Sequence, residues 1–270
     1  MKDITISRRS LLVSAGLLAL APLAGCGGNS GSGSAAAGSD YTVGVLQLTE
    51  HSALDAANDG FVKAIKKSGL KVKIDQKNAQ NDQSTCKSIA DKFVGDGVDL
   101  IYAIATPAAQ AAAGATADIP IVGCAITDYA ASGLVQDNDK PGTNVTGASD
   151  LTPVAEQLEM MQKVLPDVKK IGLLYCTAES NSDVQIKAAK KDLDKLGLDY
   201  TDFTVSSSNE IQSVVESAVG KVDALYSPTD NTIAAGASQV GQICKENKLP
   251  FVTGEEGMCM AGGLFTLSIN

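Results

Sequence analysis

The chain has 270 residues, 44% hydrophobic and 20% charged, with no Trp and only 4% aromatic residues. This is the balance of a folded soluble protein, and a core drawn from Ala, Val, Ile and Leu suits parallel sheets covered by helices. The formal charge is −9; Lys2, Arg8 and Arg9 against Asp3 make the first 25 residues +2, which leaves −11 on the remainder. A surface of that sign repels nucleic acid and anionic membrane, and the sequence holds no basic stripe and no RNA-binding signature.

Residues 1–26 join a basic start, an apolar run over 11–23 and a small-residue end. These are the parts of a secretory signal, too short to span a bilayer comfortably. Leu23-Ala24-Gly25-Cys26 resembles the lipobox of bacterial lipoproteins. That resemblance implies that Cys26 becomes the first mature residue and carries lipid on its sulfur, each buried CH₂ contributing about 0.8 kcal/mol of anchoring. A plain cleaved signal with an incidental Cys is the alternative. Ser7-Arg8-Arg9-Ser10-Leu11-Leu12 also resembles a twin-arginine export signal, and the general secretory route fits equally. Residues 27–40 are almost entirely Gly, Ser and Ala, a flexible tether with a reach of roughly 20 Å. The expected place is outside the cytoplasm, anchored to the outer face of the cell membrane or facing a periplasm.

The body begins with residues 41–48, an apolar run that reads as a buried strand. Ser52 is placed to cap a helix over 53–68, in which Ala57, Phe61, Ala64 and Ile65 recur at helical spacing. Gly69 stops it. Residues 71–76 alternate as an edge strand does. A helix over 82–94 turns Ile89, Ala90, Phe93 and Val94 inward, and a buried strand covers 98–103. Thr106-Pro107 opens an Ala-rich helix to about residue 116, with Pro107 at its first position, and residues 120–124 form the third buried strand.

Asn144-Val145-Thr146-Gly147-Ala148-Ser149-Asp150-Leu151 then divides two runs of the same grammar. Val145 and Thr146 favour extended backbone, Gly147 permits a bend, and Ser149, Asp150 or Thr152 can cap a helix whose first turn holds Pro153. The stretch reads as a crossover between two lobes with a ligand cleft beside it; an ordinary strand and turn inside one large domain is the alternative. The second run predicts helices over 152–165, 179–196, 208–219 and 231–247. Its strands are predicted over 170–175, 199–205, 222–226, 249–253 and 264–269. The organisation expected is a signal over 1–26, a tether over 27–40, a first lobe over 41–148, a second over 149–263, and the start of a return crossover over 264–270. The fold class is α/β, with one parallel sheet per lobe, right-handed crossovers and helices on both faces. Strand C-termini and helix N-termini then face each other, where ligands of open α/β sheets bind.

Five loops carry a resemblance. They are Leu46-Gln47-Leu48-Thr49-Glu50-His51-Ser52-Ala53-Leu54-Asp55, Ala105-Thr106-Pro107-Ala108-Ala109-Gln110, Asn144-Val145-Thr146-Gly147, Pro228-Thr229-Asp230-Asn231-Thr232 and Gly254-Glu255-Glu256-Gly257-Met258. Together they resemble the substrate-binding lipoproteins of ABC importers, in the group that includes tryptophan- and tyrosine-binding members, over residues 41–270. The resemblance implies the type I periplasmic-binding fold, two lobes closing on a small molecule, and delivery of that molecule to ABC permease subunits. It also implies chains that run some tens of residues past the point matching Asn270. The C-terminal part of the fold is therefore expected to be missing, and the first lobe to show an uncovered apolar face or sheet edge. Cys176 stands where the family usually has Asn.

Asp230 precedes a helix, so its carboxylate either receives a ligand ammonium or caps that helix. Glu50 and the pair Glu255-Glu256 are further cation-facing candidates, or solvated loop charge. Ser180 and Asn181 open a helix, and Thr106 and Thr127 lie on loops of the first lobe. Hydroxyl, amide and backbone N–H groups at such positions suit a carboxylate. Together the two sets read both ends of a zwitterionic amino acid, and the resemblance adds the aromatic preference. Tyr175 and Tyr226 close their strands and either wall a flat side chain or pack in the core.

No His/Cys/Asp cluster has metal-ligand spacing, so neither metal nor cofactor is expected, and the chain is expected to act as a monomer and not as an enzyme. Besides Cys26 there are five cysteines, so at least one stays free or pairs between chains. Cys176 and Cys259 are a candidate pair; Cys86 and Cys244 read as buried thiols. Two rival readings remain: a ligand-sensing lipoprotein serving a membrane receptor, and a cofactor-independent racemase using Cys124 and Cys176.

Overall fold

The computed structural model describes residues 40–268. The signal and nearly all of the tether, residues 1–39, lie outside the described residues, as do residues 269–270. The first lobe contains β1 (Tyr41–Gln47), α1 (Ser52–Ser68), β2 (Val72–Asn78), α2 (Gln83–Asp96), β3 (Leu100–Ile104), α3 (Thr106–Ala115), β4 (Ile121–Ile126) and β5 (Val145–Ser149). The second contains α4 (Val154–Val164), β6 (Lys170–Cys176), α5 (Ser180–Leu196), β7 (Asp199–Val205), α6 (Ile211–Ala218), β8 (Ala224–Ser227), α7 (Asn231–Ala235), α8 (Ala237–Glu246), β9 (Phe251–Thr253), α9 (Glu256–Met260) and β10 (Phe265–Thr266). Two five-stranded sheets result, in the orders β2-β1-β3-β4-β5 and β10-β9-β8-β6-β7. Every paired neighbour is parallel, as alternating strands and helices require.

The last strand joins the edge of the second sheet, Phe265 opposite Val252 and Thr266 opposite Thr253. The stretch at 144–151 supplies the edge strand of the first sheet and then leaves it. Asn144 fastens its start by donating to the carbonyls of Thr116 (3.0 Å) and Ile119 (2.8 Å). At Gly147 the backbone passes so close to β4 that a Cβ would lie 2.0 Å from the Gly123 carbonyl oxygen and 2.2 Å from the Tyr129 hydroxyl. Glycine is required there by space as much as by its φ of 156°.

Several local expectations change. Ser52 is the first helical residue and His51 takes the cap position, with no side-chain cap bond. None of Ser149, Asp150 and Thr152 caps α4: Pro153 occupies that place, and Ser149 Oγ donates to the Thr127 carbonyl (2.7 Å). The helix predicted over 231–247 is two helices that break at Gly236, where a Cβ would meet Ile211 Cδ1 at 2.5 Å. The loop after β9 contains α9, a single short helix.

The two sheets are covered differently. In the second, Ile171, Leu173, Ala224 and Tyr226 pack into one apolar cluster, while Leu174, Cys176 and Leu225 pack into another. Both faces are therefore buried, with α4 and α5 contributing Leu158 and Ile186 on one side and α6 and α8 contributing Val215 and Val240 on the other. In the first sheet, Phe93 of α2 lies against Gly44, where a Cβ would come within 2.6 Å of its ring. The opposite face has α1. Phe61 stacks on Tyr102 with centroids 4.0 Å apart, and register places Val122 beside Tyr102 and Ile74 beside Val43. Yet Phe61, Ile74, Leu100 and Val122 are only half-buried, and Tyr41 is 53% exposed. On this face Val43, Val45 and Tyr102 are buried while the residues around them are half-buried.

Candidate functional site

A cavity of about 1110 Å³ opens between the lobes at the C-terminal ends of the strands. From the first lobe it is lined by the start of α1, by Cys124, Ala125 and Thr127 at the end of β4, and by Asp150 and Thr152 after β5. From the second it is lined by Asn181, by residues 229–231 before α7, and by residues 255–257 before α9. Five carboxylates, Glu50, Asp150, Asp230, Glu255 and Glu256, face it, and no Lys or Arg does among the described residues. The remaining wall is small and apolar, chiefly Leu54, Ala56, Ala57, Ala125, Ala234 and Met260. Such a lining leaves room for a bulky ligand group while offering it apolar contact.

The helix starts around this cavity are not equivalent. The N–H groups of α7 are taken by buried carboxylates: Asn231 and Thr232 donate to Glu179 (3.1 and 2.8 Å), and Ile233 donates to Asp230 (2.8 Å). Those of α9 are taken by Glu255, which accepts from Gly257 (2.6 Å) and Met258 (2.5 Å). Of the described helices that begin beside the cavity, α1, α4 and α5 start without a side-chain cap bond. An anionic group is received by a free first turn and repelled by one already holding a carboxylate.

Asp230 is 1% exposed. Besides capping α7, its other oxygen accepts from the Cys176 N–H and the Ser182 hydroxyl, both at 2.6 Å. Burial and the adjacent Glu179 charge push Asp230 up to about 7, against the pull of those three donors. The structure therefore uses Asp230 as a cap and a brace across three elements. Glu179, which sequence reading missed, is its counterpart: 3% exposed, it also accepts from the Asn231 amide and the Thr232 hydroxyl. Asp150 was read only as a possible cap, yet it lines the cavity. Burial, with the charge of Glu255, raises it to about 6, while the Thr127 hydroxyl pulls the other way.

Of the residues singled out in the sequence, Glu50, Thr127, Asn181, Asp230 and Glu255 come together around the cavity. Four do not line it. Tyr226 is fully buried, its hydroxyl donating to Gln157 (2.7 Å). Tyr175 packs half-buried against the core of the second lobe, its hydroxyl donating to Asp202 (3.3 Å). Thr106 is buried at the start of α3, and Ser180 accepts a bond from Gln110 (3.1 Å). The cysteine pair of the racemase reading is not assembled, since Cys124 lines the cavity and Cys176 is buried in the core. All five described cysteines are free, including Cys176 and Cys259, while Cys86 and Cys244 are buried. Among the described residues no group of three or more His, Cys, Asp or Glu is placed to hold a metal.

The two lobes touch each other directly. Asn81 donates to the Thr232 hydroxyl (2.9 Å), Gln83 to the Ala178 carbonyl (2.8 Å), and Gln110 to Ser180. His51 Nε2 lies 3.3 Å from Asn231 Oδ1, and a Cβ at Gly257 would fall 2.1 Å from Ser52 Oγ. This is a closed arrangement.

Comparison with known proteins agrees with this geometry. Residues 42–270 match the family model described as ABC transporter substrate binding protein. A tyrosine-binding protein of Clostridioides difficile is 42% identical over 269 residues, 96% of this chain and 78% of that protein. The structure of an ABC domain in complex with L-Trp from Streptococcus pneumonia shares 40% identity, with a TM-score of 0.83 over 86% of this chain and 80% of that one. A ligand-free, open substrate-binding protein with adhesive properties from Clostridium difficile is more similar in sequence, 46% identical, but has a TM-score of only 0.58 over 83% of this chain and 77% of that one. The better superposition on the ligand-bound relative fits the contacts between the lobes. With this match over nearly its whole body, and with two parallel lobes of the type I periplasmic-binding fold, the chain belongs to the ABC transporter substrate-binding protein family.

Proposed function

We propose that this protein captures a zwitterionic aromatic amino acid in the cavity between its lobes and delivers it to the permease subunits of an ABC importer. It does so from the outer face of the membrane, held there by lipid on Cys26. The observation that carries the ligand class is the polarity of the cavity. Five carboxylates and no Lys or Arg face it among the described residues, so the ligand brings a cation. The ligand carboxylate meets the free first turn of α1, where Ser52, Ala53 and Leu54 line the wall. The side chain lies against the Ala-rich surface, whose small residues leave space for a ring. The tyrosine- and tryptophan-binding relatives support the same choice.

A thermal-shift screen of the twenty amino acids, sugars and nucleosides tests this reading. At a hundred times its Kd a ligand stabilises by about 2.7 kcal/mol, so tryptophan, tyrosine or phenylalanine should raise the melting temperature clearly. A shift with sugars or nucleosides alone overturns it. The anchor is tested separately: Cys26→Ala should release soluble protein, and unchanged partitioning into membranes rules the lipid out.

A further inference from the structure

Three buried oxygens of residues that line the cavity lack a donor among the described residues: Asp150 Oδ1, Thr152 Oγ1 and Asn181 Oδ1. Asn181 is 2% exposed and Thr152 3%, so neither is left open to bulk water. The orientation of Asn181 is set by its surroundings. Its Nδ2 donates to Glu179 Oε2 and to the Thr229 carbonyl, both at 3.1 Å, and both are pure acceptors. Turning the amide over would set oxygen against oxygen, so Oδ1 is the atom without a partner. Among the described residues Asp150 faces no Lys or Arg in the cavity, and the charged group that acts on it is Glu255. Two of the three oxygens can only accept while Asp150 is ionised. They call for N–H groups that the protein does not supply.

Asp230 is the wrong place to look for that acceptor, because its two oxygens already take three protein donors. We propose that Asp150, at the end of β5, receives the ammonium group of the ligand, with the amide oxygen of Asn181 from the other lobe as its second acceptor. The proposal rests on reading the ligand as an amino acid. It places the ionic contact on the strand that leads out of the first lobe, so the cation is gripped by both lobes only when they are closed. Protonation of Asp150, raised by burial, would remove the ionic partner while leaving the cavity shape intact.

The test is calorimetry of the full protein and of Asp150→Asn with L-tryptophan, L-tyrosine and indole-3-propionate, the last being tryptophan without its ammonium. Wild type should prefer L-tryptophan to indole-3-propionate. Asp150→Asn should bind the amino acids about 30-fold or more weaker, as loss of a desolvated ionic partner does, and indole-3-propionate within about threefold of wild type. The ratio between the two ligands is the readout. A variant that weakens both alike, or that keeps L-tryptophan within threefold, overturns the proposal. Thermal melting reports whether the variant folds, and Asp150→Ser repeats the measurement should the amide variant fail. A wild type that binds no amino acid overturns the functional reading itself, which is a different outcome from an intact preference that survives Asp150→Asn.

Discussion

Glu179 and Asp230 cap the same five-residue helix. Between them they take the N–H groups of Asn231, Thr232 and Ile233, and the two carboxylates sit together in the buried second lobe with no Lys or Arg among the described residues bonded to either. A helix this short does not hold itself, so α7 stands because two acidic side chains accept from its first turn.

Removing one of them should therefore cost stability. Asp230→Ala leaves the Cys176 and Ile233 N–H groups and the Ser182 hydroxyl without an acceptor. Each orphaned buried donor costs about 1–3 kcal/mol, so denaturant melts of the ligand-free protein should fall by about 3 kcal/mol or more. Asp230→Asn, which keeps an acceptor, should fall less. An Asp230→Ala protein with wild-type stability would return Asp230 to the role of ligand partner.

Stability should also depend on pH in an uncommon direction. Burial raises Asp150 to about 6 and, with Glu179, Asp230 to about 7, so the folded state binds protons more tightly than the unfolded chain. The stability that comes from these protons is fully present below the ordinary carboxylate range near 4 and is lost as pH rises through about 6 and 7. Each such group contributes a slope of about 1.4 kcal/mol per pH unit at most between those limits. Unliganded protein should melt higher at pH 5 than at pH 8, and Asp230→Asn should flatten the profile. Affinity for an amino acid should run the other way, falling below pH 6 as the ionic partner of the ammonium is protonated. Glu255 and the Tyr129 hydroxyl face Asp150, and neither supplies a cation that would cancel the trend.

The hydrogen bonds between the lobes hold the closed state without belonging to the ligand. Asn81→Ala and Gln83→Ala should each remove one hydrogen bond between the lobes, worth about 0.5–1.5 kcal/mol. Ligand affinity should drop by about twofold to tenfold, because binding shifts the protein only through its preference for the closed form. Small-angle scattering should show a larger radius without ligand than with it, hinging at 144–150 and near Gly262-Gly263. Identical curves under both conditions would remove the hinge.

Gly147→Ala should be among the most damaging single changes. Its Cβ would overlap the Gly123 carbonyl and the Tyr129 hydroxyl, so β4 and β5 must separate at the edge of the first sheet. A loss of about 3 kcal/mol or more is expected by thermal melting. Wild-type stability would show that the β4–β5 edge has slack there.

What could be read from the sequence was local. Gly69 closes α1 and Pro107 stands at the start of α3, because a stop and a start are signalled within a few residues. The order of strands and helices followed from period and punctuation in the same way. The site was legible only as a set of loops. Glu179 finds its acceptor role 52 and 53 residues away, and no spacing announces that. Tyr175 and Tyr226 could not be assigned a side, because a sheet buried on both faces leaves no alternation to read. Helix α9 was missed because five residues with Gly257 among them carry no helical period. Asp150 reads in the sequence as one of three cap candidates before Pro153, whereas its oxygen without a donor is revealed only by three-dimensional packing.

The thinly covered face of the first sheet sets the order in which the molecule comes apart. Amides of β2 and α1, whose neighbours are half-exposed, should exchange with solvent through small local openings, while those of β6 and β8, buried on both sides, should exchange only on global unfolding. The first turn of α1 is also part of the cavity wall. A bound ligand thus clasps the segment that would otherwise detach first, and occupancy should slow deuterium uptake most along α1, some turns away from any atom the ligand touches.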